Sequence, residues 1–171
     1  MRRLILIAAL VVSFAAAAKA DFQSGVDAIK KGDYATALRE FKPLAEQGMA
    51  AAQTNLGLMY SKGMGVTQDD AYAFKWYRVA AEQGQPVAQN NLGAMFVNGL
   101  GGPKDPVFGT MWLMLAAENG YAAAGDAVKA QEKVLSPSEI LIAKQMAMLW
   151  KEKQALKTAH TAAATVTAAG K

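Results

Sequence analysis

Cysteine does not occur among the 171 residues, and with it go disulfides, thiolate metal sites and cysteine nucleophiles; the redox compartment is left open. Histidine occurs once. His160 lies in an Ala/Thr-rich C-terminal stretch where no rigid element is expected to hold it, so a Ser-His-Asp relay has no positioned imidazole. Proline is scarce at five residues while 53% of the chain is hydrophobic, which excludes a disordered polar chain. The mean hydropathy of +0.08 is far below that of a multi-span membrane protein. A single water-soluble domain with a real core fits this length.

Acidic residues are missing before Asp21. That absence bears on the pI near 9.3, which taken alone invites a nucleic-acid partner. Arg2, Arg3 and Lys19 fall in the acid-free segment and leave 15 basic residues against 14 acids in the rest. The remainder is close to neutral and its charges are interspersed, so no phosphate-binding footprint remains. The segment itself has the grammar of an export leader. Arg2 and Arg3 start it, Leu4 to Ala18 is uncharged and mostly apolar, and Ala18-Lys19-Ala20 places small residues at the −3 and −1 positions of a cleavage site. The apolar run is shorter than the roughly 20 residues a permanent membrane helix needs. Cleavage is expected after Ala20, and the mature protein, from Asp21, is expected in the periplasm or secreted, without a membrane span or a lipid-bearing cysteine.

What the chain does contain is a repeat. Gly57 recurs as Gly93 and Trp76 as Trp112, a period of 36 residues. Ala45-Glu46-Gln47-Gly48 returns as Ala81-Glu82-Gln83-Gly84 and as Ala117-Glu118-Asn119-Gly120; Asn55-Leu56-Gly57 returns as Asn91-Leu92-Gly93. Ala52, Leu56, Met59 and Tyr60 share one helical face, as do Ala88, Leu92, Met95 and Phe96. A glycine-rich turn follows each, and Asp69 or Asp105 stands where a second helix wants its N-cap. Pro106 suits a first helical turn, and Gly84 and Gly120 suit helix ends. Gly57 and Gly93 sit inside helices, at a cost of about 1 kcal/mol each against alanine; a close approach of the paired helix offsets it.

In these positions the sequence resembles the Sel1-like repeat family, a relative of the tetratricopeptide repeat. Ala52, Leu56, Gly57, Tyr60, Gly63, Gly65, Trp76, Tyr77, Ala80, Ala81 and Gly84 match the repeat pattern; the second unit departs with Phe96 for the tyrosine and Leu113 after Trp112. The resemblance implies an all-α fold, a right-handed α-α superhelix of helix pairs. Residues 21–48 are expected as a tetratricopeptide-like pair, 49–84 and 85–120 as repeats, and 121–157 as C-terminal capping helices. Gly25, Gly32, Tyr34, Ala37 and Phe41 carry the first pair, with Asp33 as its cap. Lys129 replaces the glycine of the third unit, and Ser136-Pro137-Ser138-Glu139 reads as a capping box before a long helix whose core edge is Ile140, Ala143, Ala147 and Trp150. Residues 158–171, with few large side chains, are expected to be a disordered tail.

Little here points to catalysis. No serine has a lysine three places on, as a serine β-lactam enzyme requires. Asp69 is read as a cap, and the Gly63 and Gly99 loops lack a phosphate loop's lysine. Met59, Met95, Met111 and Met114 fall at core positions, not in a copper site, and Trp76 and Trp112 belong between helices. No metal and no cofactor is expected. If the tetratricopeptide register transfers, the first helices line a concave face with Ala51, Thr54, Leu58, Ser61 and Lys62, then Val87, Asn90, Ala94, Val97 and Asn98; the alternative is that these positions are solvated or covered by the C-terminal helix. The function expected is a monomeric, non-enzymatic adaptor in the bacterial envelope that binds a protein or peptide and no nucleic acid. A β-lactam or cell-wall hydrolase activity, associated with some cysteine-rich Sel1-like relatives, and a cell-wall glycan-binding module stand as the alternatives.

Overall fold

A computed structural model describes residues 18–169, with side chains through residue 164. Most of the expected leader, residues 1–17, lies outside the described residues. Among those described the chain is entirely helical: α1 (18–31), α2 (Tyr34–Glu46), α3 (Ala50–Lys62), α4 (Asp70–Glu82), α5 (Pro86–Asn98), α6 (Pro106–Glu118), α7 (Ala122–Glu132) and α8 (Pro137–Ala169). Consecutive helices stack as a solenoid. The second helices α2, α4 and α6 begin 36 residues apart, as do α3, α5 and α7, so the period extends beyond the two obvious units in both directions.

The predicted caps are in place. Asp33, Asp69 and Asp105 accept from the backbone N–H of Thr36, Tyr72 and Phe108 at 3.1, 2.8 and 2.9 Å, each satisfying a donor the first turn would leave bare. Gly63 and Gly99 end α3 and α5 with φ of 66° and 71°, a left-handed cap that a side chain would strain. At α8, the Ser136 N–H donates to the Glu139 carboxylate at 2.8 Å while the Glu139 N–H donates back to the Ser136 hydroxyl at 3.3 Å. The capping box is closed on both sides.

Helix spacing is set by glycine. A Cβ on Gly57 would lie 2.7 Å from the Tyr77 ring, and one on Gly93 would lie 2.8 Å from the Gly109 carbonyl and 2.9 Å from Leu113. In the first pair the glycine that meets the corresponding Phe41 ring is Gly25, one turn later along the helix. The cause is the link: two residues join α1 to α2, whereas seven join α3 to α4.

A polar ladder ties the units. Gln53 is buried; its amide donates to the Ala45 carbonyl at the end of α2 at 3.0 Å, and its oxygen accepts from Gln83 after α4 at 2.7 Å. Gln89 repeats both bonds one unit on, to Ala81 at 3.3 Å and from Asn119 at 2.9 Å. Each buried amide is thereby satisfied, and three helix ends are held together.

Met59, Met95, Met111 and Met114 are buried as expected. Trp112 is too, with Trp150 of α8 edge-on at 5.5 Å; Trp76 is only half-buried, because the ring at its edge is the exposed Tyr72. The C-terminal stretch corrects the sequence reading: residues 158–169, expected to be disordered, continue α8. Poverty in large side chains limits tertiary packing, but alanine is the best helix former, and Thr158 and Thr161 turn their hydroxyls onto the carbonyls of Gln154 and Lys157 at 3.0 and 2.9 Å. His160 is therefore exposed on a helix.

Glycines with and without a neighbour should respond oppositely. Gly93→Ala must displace the backbone of α6 and should lower stability by about 1–3 kcal/mol, whereas Gly125→Ala, in α7 with nothing within 4 Å, should raise it by about 0.5–1 kcal/mol. Urea titrations of both variants check the pair.

Candidate functional site

Between α3 and α5, the first helices of the two repeats, lies a groove of about 400 Å³. Leu58, Ser61 and Lys62 of α3 face Asn91, Ala94 and Met95 of α5 across it, and Gln68, Asp70 and Leu100 close its rim. Tyr77 comes up from below. It belongs to α4, and its ring crosses α3 at Gly57, so the hydroxyl reaches the groove although the residue is only 2% exposed. There it meets the Ser61 hydroxyl at 3.4 Å.

The predicted face divides in two. Leu58, Ser61, Lys62 and Ala94 are brought together in the groove. Thr54 is buried and donates to the Ala50 carbonyl of its own helix at 2.8 Å. Asn90 is half-buried and donates to Asn91 at 3.4 Å. Val97 packs on α6 at Gly109, drawn in by the close approach of α5 and α6. Asn98 is exposed and donates to the Ala94 carbonyl at 2.8 Å. Ala51 and Val87 lie outside the groove lining. The residues that sequence reasoning missed are Tyr77, Asn91, Gln68, Asp70, Met95 and Leu100. One signal was available for Tyr77: the next repeat carries Leu113 in its place, so the hydroxyl is not needed for helix packing.

Chemically the groove has an apolar floor, one cation, one anion and several neutral donors and acceptors. Burial pushes the Tyr77 phenol above its ordinary pKa, and hydrogen bonds with Ser61 and Asn91 pull partly the other way. Ser61 donates to the Leu58 carbonyl at 3.0 Å, and the oxygen beside it is a phenol held neutral; neither acts as a general base toward it. Asp69 is occupied as a cap. Among the described residues no three His, Cys, Asp or Glu side chains come together as metal ligands. The arrangement can hold a neutral polymer segment by hydrogen bonds to its backbone and by modest apolar contact.

The sequence model of the Sel1 repeat matches residues 50–85 and 86–121. The chain contains two Sel1 repeats. The groove lies at the junction of its two repeats, with Leu58 to Tyr77 from the first and Asn91 to Leu100 from the second. Among solved structures it is similar to c5321, described as a protective antigen present in uropathogenic Escherichia coli strains and displaying an SLR fold, with a TM-score of 0.74 and 31% identity over 80% of this chain and 30% of that one. It is also similar to a Sel1 repeat protein from Oxalobacter formigenes, with a TM-score of 0.51 and 40% identity over 53% of this chain and 37% of that one. The chain thus spans about a third of the length of these relatives. No curated protein matches it in sequence.

The raised phenol has a stability consequence. The fold favours neutral Tyr77, so its contribution is complete below the unfolded phenol pKa of about 10 and is lost as pH rises through the higher folded value. Tyr60 is raised as well, chiefly by burial and then by Tyr72 and Asp69. Thermal melts should therefore fall in midpoint above about pH 10, and Tyr77→Phe should flatten part of that fall while costing no more than about 1 kcal/mol at neutral pH. An unchanged alkaline slope in the variant would count against the buried phenol.

Proposed function

We propose that the protein is an exported scaffold that holds a segment of another protein in the groove between its repeats, acting by binding and not by catalysis. The Sel1 repeat fold is generally a protein interaction scaffold, and the observation that carries the reading is the groove itself. Its floor of Leu58, Ala94 and Met95 is ringed by Leu100, by the single charges of Lys62 and Asp70 and by amides and hydroxyls. An extended peptide carries both backbone donors and acceptors and suits this mixture; a polyanion finds one lysine.

Export rests on the leader and its cleavage site. Removal after Ala20 takes the first described turn of α1, 18–20, and leaves Phe22, whose ring packs on Phe41 at 5.5 Å. The first helix pair keeps its aromatic contact. Among the described residues no helix is long and apolar enough to cross a membrane. The periplasm or the medium is the destination this reading assigns.

Two measurements test it. Mass spectrometry of the protein from a periplasmic or culture fraction should give a chain beginning at Asp21; an intact Met1 form there argues against a cleaved leader. A photo-cross-linking residue at Leu58 or Ala94 should yield discrete protein adducts that the same residue at Val134, exposed before α8, does not, and Ser61→Arg should reduce them about tenfold or more. Equal labelling from both faces would remove the groove from consideration.

A further inference from the structure

We propose that α8 is the interface of a homodimer, two copies pairing antiparallel along its outer face, in place of the monomer expected from the sequence. α8 lies on α6 with a fixed rotation: Ile140, Ala143 and Ala147 are buried, Trp150 meets Trp112 edge-on, and Lys151 pairs with Glu118 at 2.7 Å. The opposite face carries exposed apolar side chains. Leu141 and Met148 are seven residues apart, as are Ile142, Leu149 and Leu156, and all five are between 48% and 72% exposed. A seven-residue recurrence keeps these side chains in two nearly straight rows. Such a contiguous band is what the surface of a monomer ordinarily avoids.

The pattern of the band points to a second copy of this chain. A two-fold axis placed between Met148 and Leu149 sets Met148 opposite Leu149 and Leu141 opposite Leu156. The same axis sets Gln145, in the middle of the band, opposite Glu152, so that amide N–H groups donate to a carboxylate, and symmetry makes the bond twice. Four of the five large side chains meet one another, Ile142 falls opposite Ala155, and donor meets acceptor, with no second sequence needed. Ten such side chains at about 100 Å² each amount to roughly 1,000 Å², which reaches the lower range of specific interfaces and implies a reversible dimer. A lipid surface fits less well, because it would leave Gln145 and Glu152 unpaired against acyl chains.

Sedimentation equilibrium on the protein in the form the cell makes tests this. The expected result is a mass that rises from one chain toward two with concentration. Leu149→Lys should weaken association by about tenfold or more without changing the circular dichroism or the melting temperature, since Leu149 contributes nothing to the core. Gln145→Glu should weaken it by facing carboxylate with carboxylate, and adding Glu152→Gln should restore it. A single-chain mass at every concentration overturns the proposal, as does a dimer indifferent to Leu149→Lys or a double variant no tighter than the single one. Co-sedimentation of single chains with anionic phospholipid vesicles would also overturn it and assign the band to a membrane.

Discussion

The distance between the two helices of a repeat is the quantity on which the rest of the structure depends, and a glycine sets it. With hydrogen at positions 57 and 93 the partner helix supplies whatever fills the space: an aromatic ring at Tyr77, a leucine and a bare carbonyl at Leu113 and Gly109. The helical penalty of about 1 kcal/mol per glycine is small beside a Leu or Tyr side chain brought fully out of water, at about 1.5–3 kcal/mol. The two repeats nonetheless use the same gap differently. Leucine ends in hydrocarbon, whereas tyrosine carries an oxygen through to the far side of α3. One departure in an otherwise faithful repeat, Leu113 where the pattern has tyrosine, thus turns a groove position into a packing position.

The repeat motif has a second physical basis in the amide ladder. Gln53 and Gln89 are buried polar groups in an alanine-lined seam, which is costly unless both the nitrogen and the oxygen find partners. Both do, one bond reaching back to the preceding second helix and one coming from the residue that follows the next. That residue is Gln83 or Asn119, so the recurring Glu-Gln-Gly and Glu-Asn-Gly ends are acceptors' partners as well as helix stops. The glycine-rich loops add a steric register: a Cβ on Gly65 would press 2.6 Å from Tyr34 of α2. Slippage by one residue would break all of these at once, which is why the period is held at 36.

Most of the fold was legible because it is written in local chemistry. Asp33, Asp69, Asp105 and the Ser136–Glu139 box act within one turn of chain, and Leu56, Met59, Leu92 and Met95 report a face by their spacing alone. The terminal helix beyond Lys157 escapes a reading by side-chain size, because few large side chains argue for disorder whereas a stretch of alanine and threonine needs no packed face to be helical. The site was half legible. Its α3 side follows from register, but Val97 was lost to the close contact at Gly109, and Tyr77 entered from a helix that the register argument assigns to the back. Residues reaching a surface through a gap in another helix leave no periodic trace.

The way the solenoid stops determines what its end can do. At the repeat spacing the glycine of a further unit would fall at position 129, and Lys129 stands there. The link between α7 and α8 is four residues, 133–136, instead of the seven of the two repeats. α8 settles on α6 instead, covering Trp112 and leaving α7 apart from it across a cleft of about 510 Å³ lined by Val128, Lys144 and Met148. The exposed apolar side chains of α8, Leu141, Ile142, Leu149 and Leu156 among them, thereby have no repeat neighbour among the described residues, and it is this exposure that the proposed dimer uses.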